Sequence, residues 1–389
     1  MAKNWKEETM KVLVLYEYPP PPGGLATQGD LLYRGLKEIG VDAYPVNSES
    51  AQEKEWYYRW FKPDVVVGVG YWGHTPDLVL HPQRYGILPV PWLVADGYVA
   101  NYEEILNALP LILTTSRWVK DVYIRDGLNG ENIDVLPVGV DTDSFTLRDK
   151  TDPKVACVRE ALGVAPDEIM ILTVGGDAAS KGAQEVMQAL AIINGKAPPW
   201  KYICKVWPQP RTLQQNLMDL QLATSLGIEK RVVYSTNIVS RNFMPYLMNA
   251  CDIYAAPSRL EGFGMPQVEA GASGKPVLGI NAMAMAETLV HNETALLAGV
   301  AMEVVMRETT VGEESGWERG HRVVFKNPHT VDYRASIHDI ANYLMDLMEK
   351  AELRRKMGEK GRKRVMENYD YRVVTKKFVQ IVAERLGTS

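Results

Sequence analysis

The stretch Pro257-Ser258-Arg259-Leu260-Glu261-Gly262-Phe263-Gly264-Met265-Pro266-Gln267-Val268-Glu269-Ala270 decides how this chain is read. It follows the apolar run Ile253–Ala256 and leads into a segment of helical period that stops at Gly274-Lys275-Pro276. A strand, a glycine-bearing turn and a helix in that order belong to an α/β fold. Gly262 and Gly264 let the backbone turn tightly and approach a ligand. The helix start behind them offers unpaired N–H groups and the positive end of a dipole, a seat for an anion such as a diphosphate. Two carboxylates flank the turn, Glu261 before it and Glu269 at the start of the helix. A carboxylate accepts two hydrogen bonds side by side, which suits the vicinal hydroxyls of a ribose or hexose.

Outward from this stretch, short apolar runs alternate with helical segments almost throughout. Upstream the strand candidates are Val12–Tyr16, Asp64–Val69, Pro89–Val94, Leu111–Thr115 and Ile133–Leu136, with helical patterns such as Leu31–Ile39, Glu53–Phe61 and Arg117–Asp126 between them. This alternation predicts βαβ units and a parallel sheet covered on both faces. It breaks at Val140–Pro153, a polar stretch with Asp141, Asp143, Asp149 and Asp152 that reads as an interdomain linker. It restarts with Ile169–Val174, Tyr202–Val206, Val232–Tyr234, Ile253–Ala256 and Pro276–Leu278. The expectation is two Rossmann-like domains facing a cleft, with ligands beyond the carboxyl ends of the strands. Gly299–His329 shows little periodicity and reads as a long loop or small insertion. From Ala335 the chain is expected to be helical, with the basic run Leu353–Lys363 as a solvated face. The helical spacing of Trp56-Tyr57-Tyr58-Arg59-Trp60-Phe61 favours core packing over contact with a membrane or sugar acceptor.

With these residues in view, the sequence resembles the large retaining GT-B family commonly called glycosyltransferase family 4, or glycosyl transferases group 1. Its Glu-x7-Glu signature is matched by Glu261 and Glu269, with Gly-Phe-Gly at Gly262–Gly264 and a continuation from Glu269-Ala270 to Gly274-Lys275-Pro276-Val277. Pro21-Pro22-Gly23-Gly24 resembles the N-terminal Gly-Gly loop that lies against the donor phosphates and the acceptor. Thr173 to Gly182 stands where the family binds the diphosphate through Gly-Arg…Lys-Gly; Lys181 matches the lysine, and Gly176 replaces the arginine. Lys205 and Arg259 are candidates for the missing charge. Asp96 occupies the place where the family often has a histidine near the anomeric carbon, and His74 is a further candidate. Asp141-x-Asp143 could be taken for a metal-binding pair, but its place in a linker motif points to a structural role. Met366 to Tyr371 resembles the family's closing element, after which a last helix crosses back to the first domain.

The resemblance implies a GT-B fold: an acceptor-binding domain at 1–146, a nucleotide-sugar-binding domain at 147–370 and a returning helix at 371–389. It implies retaining transfer of a hexose from a nucleoside-diphosphate sugar to an acceptor hydroxyl, with no cofactor and no metal. Glu261 and Asp96 would be the catalytic pair. Gly24, Lys181, Gly262, Phe263, Gly264, Met265 and Glu269 would hold the donor, joined by Gly23, His74, Lys205 or Arg259. The alternatives are an epimerase or phosphorylase of the same architecture, or a non-enzymatic sugar-binding protein. A nicotinamide-dependent dehydrogenase is disfavoured because Gly68-Val69-Gly70 lacks the third glycine and an acidic partner.

Composition narrows the classes further. A net charge of −5 disfavours a general nucleic-acid binder, whose footprint would be basic. Cys157, Cys204 and Cys251 are odd in number and form no CxxC, so neither a disulfide framework nor a structural zinc site is expected. A reducing, cytoplasmic setting fits. Apolar runs are too short to span a bilayer, which leaves peripheral membrane contact open. The acceptor, a free sugar or a lipid-linked one, has no signature.

Overall fold

The computed structural model describes residues 10–387 apart from Asp96, Gln209, Glu314 and Ser315. Its first strand, β1 (Lys11–Tyr16), shows why the sheet must be internal. Val12, Leu13, Val14 and Leu15 alternate between the two faces, yet all four are fully buried. Such a strand is stable only where helices cover both faces of a parallel sheet.

That sheet contains β2 (Asp42–Asn47), β1, β3 (Val65–Tyr71), β4 (Leu88–Val94), β5 (Ile112–Thr114) and β6 (Ile133–Val135), in this spatial order. Every neighbouring pair is parallel. Leu13, Leu15, Val66, Leu93 and Ile112 form the core of one face with Val119, Val122 and Tyr123 from the helix Arg117–Arg125. The aromatic segment on the helix Ala51–Trp60 divides. Tyr58 and Phe61 enter this core, while Trp56 and Trp60 stay about half exposed and stack on each other with centroids 5.1 Å apart.

A second sheet has the order β12 (Ala295–Ala298), β11 (Val277–Ile280), β10 (Ile253–Ala255), β7 (Ile169–Val174), β8 (Trp200–Lys205), β9 (Val232–Ser235), again all parallel. Read from β7, the chain steps outward to β8 and β9, then returns to lay β10 on the other side of β7. The strand order therefore reverses between β7 and β10. A reversal of this kind places a crevice at the strands' carboxyl ends; here the loops leaving β7 and β10 meet across it, with the Arg259 amide donating to Ser180 O at 2.9 Å.

The chain divides into two compact units. The first contains Met1–Gly139, Val305–His329 and Tyr369–Ser389; the second contains Val140–Val304 and Thr330–Asn368. The last helix, Tyr371–Leu386, packs on the helix Gly24–Glu38 within the first unit, where Arg372 Nε donates to Glu38 at 3.0 Å. Gly35 is required at that crossing, because a Cβ there would lie 2.0 Å from Thr375 Oγ1.

The segment expected to be a loop or insertion forms a two-stranded ribbon, β13 (Val300–Val311) and β14 (His321–Ala335). Most of its β13 side chains are exposed on both faces, so no apolar–polar alternation marks it in the sequence. Its outer part is tied into the first unit by Val311 in the core, a Trp317 Nε1 hydrogen bond to Ala100 O at 3.0 Å and His329 Nε2 3.0 Å from Asp126. Among the described residues no helix is long and apolar enough to cross a membrane.

Candidate functional site

The crevice between β7 and β10 gathers the residues singled out in the second half of the sequence. Beyond β7 the chain turns at Gly175-Gly176, where Asp177 accepts hydrogen bonds from the Ser180 amide (2.6 Å) and hydroxyl (2.9 Å). This cap winds the short helical turn Ala179–Lys181 and projects Lys181 ahead of the helix Ala183–Ile193. Gly182 follows with φ +80°, and a Cβ there would meet Pro257 O at 2.3 Å. Glycine alone lets the two loops approach so closely.

From the β10 side, the loop after Pro257 carries Glu261 toward the same point. Lys181 Nζ donates to Glu261 Oε2 at 2.7 Å, with both side chains only partly exposed. Glu261 Oε1 accepts from the Gly264 amide at 3.1 Å. Gly264 caps the helix Met265–Ala272 with φ +90°, and a Cβ there would lie 2.1 Å from Met285 Cε. Phe263 is buried beneath the turn. Gln267, fully buried, donates to Ser258 Oγ at 3.0 Å and holds the loop from below.

Glu269 lies one helical turn further along. Burial of its carboxyl pushes its pKa up to about 7, against the opposing pull of Arg241. Arg241 stands in the loop that follows β9. Sequence reading missed this arginine, and its only signal was its place beyond a strand's carboxyl end.

The two candidates for the missing phosphate-binding charge behave differently. Arg259 is turned away into a network: its guanidinium donates to Glu185 at 2.9 Å and to Gln184 at 2.8 Å, and Arg334 joins Glu185 at 3.2 Å. Those partners neutralise and fix it. Lys205 ends β8, paired in register with Val174 at the end of β7, and is 5% exposed. Burial lowers its pKa, and among the described residues no carboxylate pairs with it. The Trp207 ring packs over Gly176, 3.4 Å from where a Cβ would stand, in the family's arginine position.

The candidates in the first unit are less concentrated. Gly23 caps the helix that starts at Gly24 beyond β1, with open space where its Cβ would stand. His74 packs its ring 4.3 Å from that of Tyr71, and burial lowers its pKa. Asp96 lies outside the described residues. Asp141 accepts from the amide and hydroxyl of Ser144, each at 3.0 Å, and so braces its own turn.

Comparison with known proteins bears on the family and the fold. Residues 157–303 match the family described as "Glycosyl transferases group 1", so the second unit carries a domain of that family. A "D-inositol 3-phosphate glycosyltransferase" of Rhodococcus erythropolis is 26% identical over 61% of this chain and 55% of its own. The Mycobacterium tuberculosis protein of the same name is 33% identical over 46% of this chain and 35% of its own. The match thus spans about half or less of these curated relatives. Among solved structures, a glycosyltransferase from Rickettsia africae superposes with TM-score 0.73 at 15% identity, covering 98% of this chain and 100% of its own. Anabaena Alr3699/HepE, solved in complex with UDP and glucose, gives 0.71 at 16% identity over 96% and 100%. The fold is that of GT-B glycosyltransferases.

Proposed function

We propose that this chain is a glycosyltransferase that moves a hexose from a nucleoside-diphosphate sugar to an acceptor hydroxyl, with retention at the anomeric carbon and without a metal ion. The observation that carries this reading is the contact of Lys181 with Glu261 at 2.7 Å, beside the start of the helix Met265–Ala272. A phosphate-seeking cation, a sugar-seeking carboxylate and a helix N-terminus meet at one strand-order reversal. The group 1 domain, the names of the relatives and the UDP and glucose bound to the Anabaena protein all support it.

In the reaction, the bond between the anomeric carbon and the diphosphate oxygen breaks, and the electron pair leaves with the diphosphate. Lys181, Lys205 and the amides at Gly264 and Met265 stabilise that developing charge. Lys205 takes the place of the absent arginine: a buried cation with no carboxylate partner among the described residues gains most from an incoming phosphate. The acceptor oxygen attacks from the face that the diphosphate leaves and gives up its proton to it. Glu261, which neutralises Lys181 before the donor binds, then turns its charge toward the cationic sugar. Glu269 accepts hydrogen bonds from the ribose hydroxyls. With two lysines and a helix dipole on the leaving group, no divalent ion is required.

A panel of nucleoside-diphosphate hexoses, each with and without candidate acceptors, tests the reading. The expected result is slow hydrolysis of one donor, accelerated by an acceptor, with the product anomer matching the donor by NMR. An inverted product would refute retention, and inertness toward every donor it binds would favour a sugar-binding protein.

A further inference from the structure

At the opposite edge of the second sheet, where β10 and β11 begin, a cavity of about 640 Å³ is lined by Lys275, Arg354, Arg362, Lys150, Arg355 and Lys363 with three acidic residues. The cations there are of two kinds. Lys150 is paired with Asp252, and Arg355 with Glu352 and Glu359. Lys275, Arg354 and Arg362 instead donate to neutral carbonyl oxygens: Lys275 to Asn249 O at 2.8 Å, Arg354 to Leu347 O and Met348 O, and Arg362 to Phe145 O and Ala272 O. Asn249, Leu347, Met348 and Ala272 lie in the last turns of their helices, so these cations are held by helix C-termini, whose partial negative charge offsets theirs only in part.

Lys275 is the telling residue. It is 8% exposed, and its ammonium group makes one hydrogen bond where three donors are present. Asp252, the nearest buried acid, is already shared by Lys150, Arg159 and the Met170 amide. A buried ammonium with spare donors, lining the same cavity as two guanidinium groups, is a costly arrangement unless an anion completes it.

The geometry points to a second anion site at this edge, separate from the donor crevice, which takes a compact multivalent anion of the phosphate class through Lys275, Arg354 and Arg362. Three fixed cations match the oxygens of a phosphate or pyrophosphate group, presented either free in solution or as a lipid headgroup. Lys150, Arg355 and Lys363 at the rim are each paired with a carboxylate and contribute only to the local field around it.

Calorimetric titration of the full chain with inorganic pyrophosphate tests the site, using the Lys181→Ala protein to weaken the donor crevice, with Lys275→Met identifying which event belongs to the new site. One pyrophosphate should still bind per chain, and Lys275→Met should weaken that event by at least about tenfold, the scale of a lost charge-assisted hydrogen bond. The rim double variant Arg355→Gln/Lys363→Gln, on exposed positions that cannot unfold the core, should weaken it by about threefold and reduce its salt dependence. Vesicles of phosphatidylcholine with and without phosphatidylglycerol separate the sources. Retention on anionic vesicles that Lys275→Met abolishes assigns the headgroup, and pyrophosphate binding without such retention assigns the free anion. Loss of all pyrophosphate binding in Lys181→Ala would overturn the proposal. So would pyrophosphate affinity, or vesicle retention, unchanged in both the Lys275 and the rim variants.

Discussion

Glu269→Gln should make the protein more stable and its site worse. Burial holds the Glu269 pKa at about 7 where an ordinary glutamate has 4.5. Below pH 4.5 the carboxyl is protonated in the folded and unfolded chain alike, and it costs nothing. Between 4.5 and 7 the unfolded chain loses its proton first, so stability falls as pH rises; above 7 the whole penalty is present. Because the Glu269 side chain keeps part of its surface in water, that penalty is at most about 3 kcal/mol, from about 1.4 kcal/mol for each pH unit of displacement. Glutamine carries no charge to desolvate. The variant should therefore match the parent near pH 4.5 and exceed it at pH 8, by up to about 3 kcal/mol or several degrees of melting midpoint. Ligand binding should move the other way. If the ionised carboxylate holds the ribose, parent affinity for a nucleoside diphosphate should fall about tenfold from pH 8 to pH 6, as the ionised fraction drops from roughly 0.9 to 0.1. The ligand's own phosphate titrates in this range, so the readout is the ratio of parent to variant affinity at each pH by calorimetry. That ratio should shrink toward one at pH 6. A pH-independent ratio, with identical melting at pH 8, would refute the assignment of a buried, ribose-binding carboxylate.

Four other outcomes are expected. Lys181→Ala should weaken nucleoside diphosphate binding by about 1.5–3 kcal/mol and leave free sugar binding unchanged; Lys205→Met should give a loss of the same kind, whereas Arg259→Lys should not. Glu261→Gln should leave nucleoside diphosphate affinity nearly intact and lower turnover at saturating donor by about 10²–10³, measured by initial rates. Gly264→Ala forces a Cβ into the left-handed region and against Met285, so it should weaken donor binding and cost about 1–3 kcal/mol in denaturant unfolding. Turnover should survive excess chelator, and abolition with rescue by Mg²⁺ or Mn²⁺ would reverse the metal-free reading.

The parts of the site legible in the sequence are those whose geometry is local. Gly262, Gly264 and Glu269 lie within one turn and the helix it starts, so their spacing alone places a carboxylate beside the amides of a helix start. The choice between Lys205 and Arg259 was not local. Arg259 is committed by Glu185, which is 74 positions away, and Lys205 acquires its environment only when β8 lies beside β7. The replacement of the family's arginine by Gly176 likewise gains its physical setting from Trp207, which packs over it from the next strand's loop. In the ribbon of β13 and β14 the signal itself was missing, since a strand exposed on both faces has no side to alternate against.

The division of the chain also sets an order of assembly. Strands β1 to β6 emerge from the ribosome first, yet their unit is not complete until much later material arrives. Val311 is part of its core, Thr375 fills the space that Gly35 leaves open, and Tyr371, 1% exposed, lies against Gly139. The second unit draws all of its strands from β7 onward and can close around its own sheet while the earlier unit still waits for its last helix. Vectorial synthesis ordinarily favours the domain made first. Here the unit begun first is finished last, and a nascent chain stalled before Tyr371 would leave the spaces at Gly35 and Gly139 unfilled while all residues of the second unit are already made.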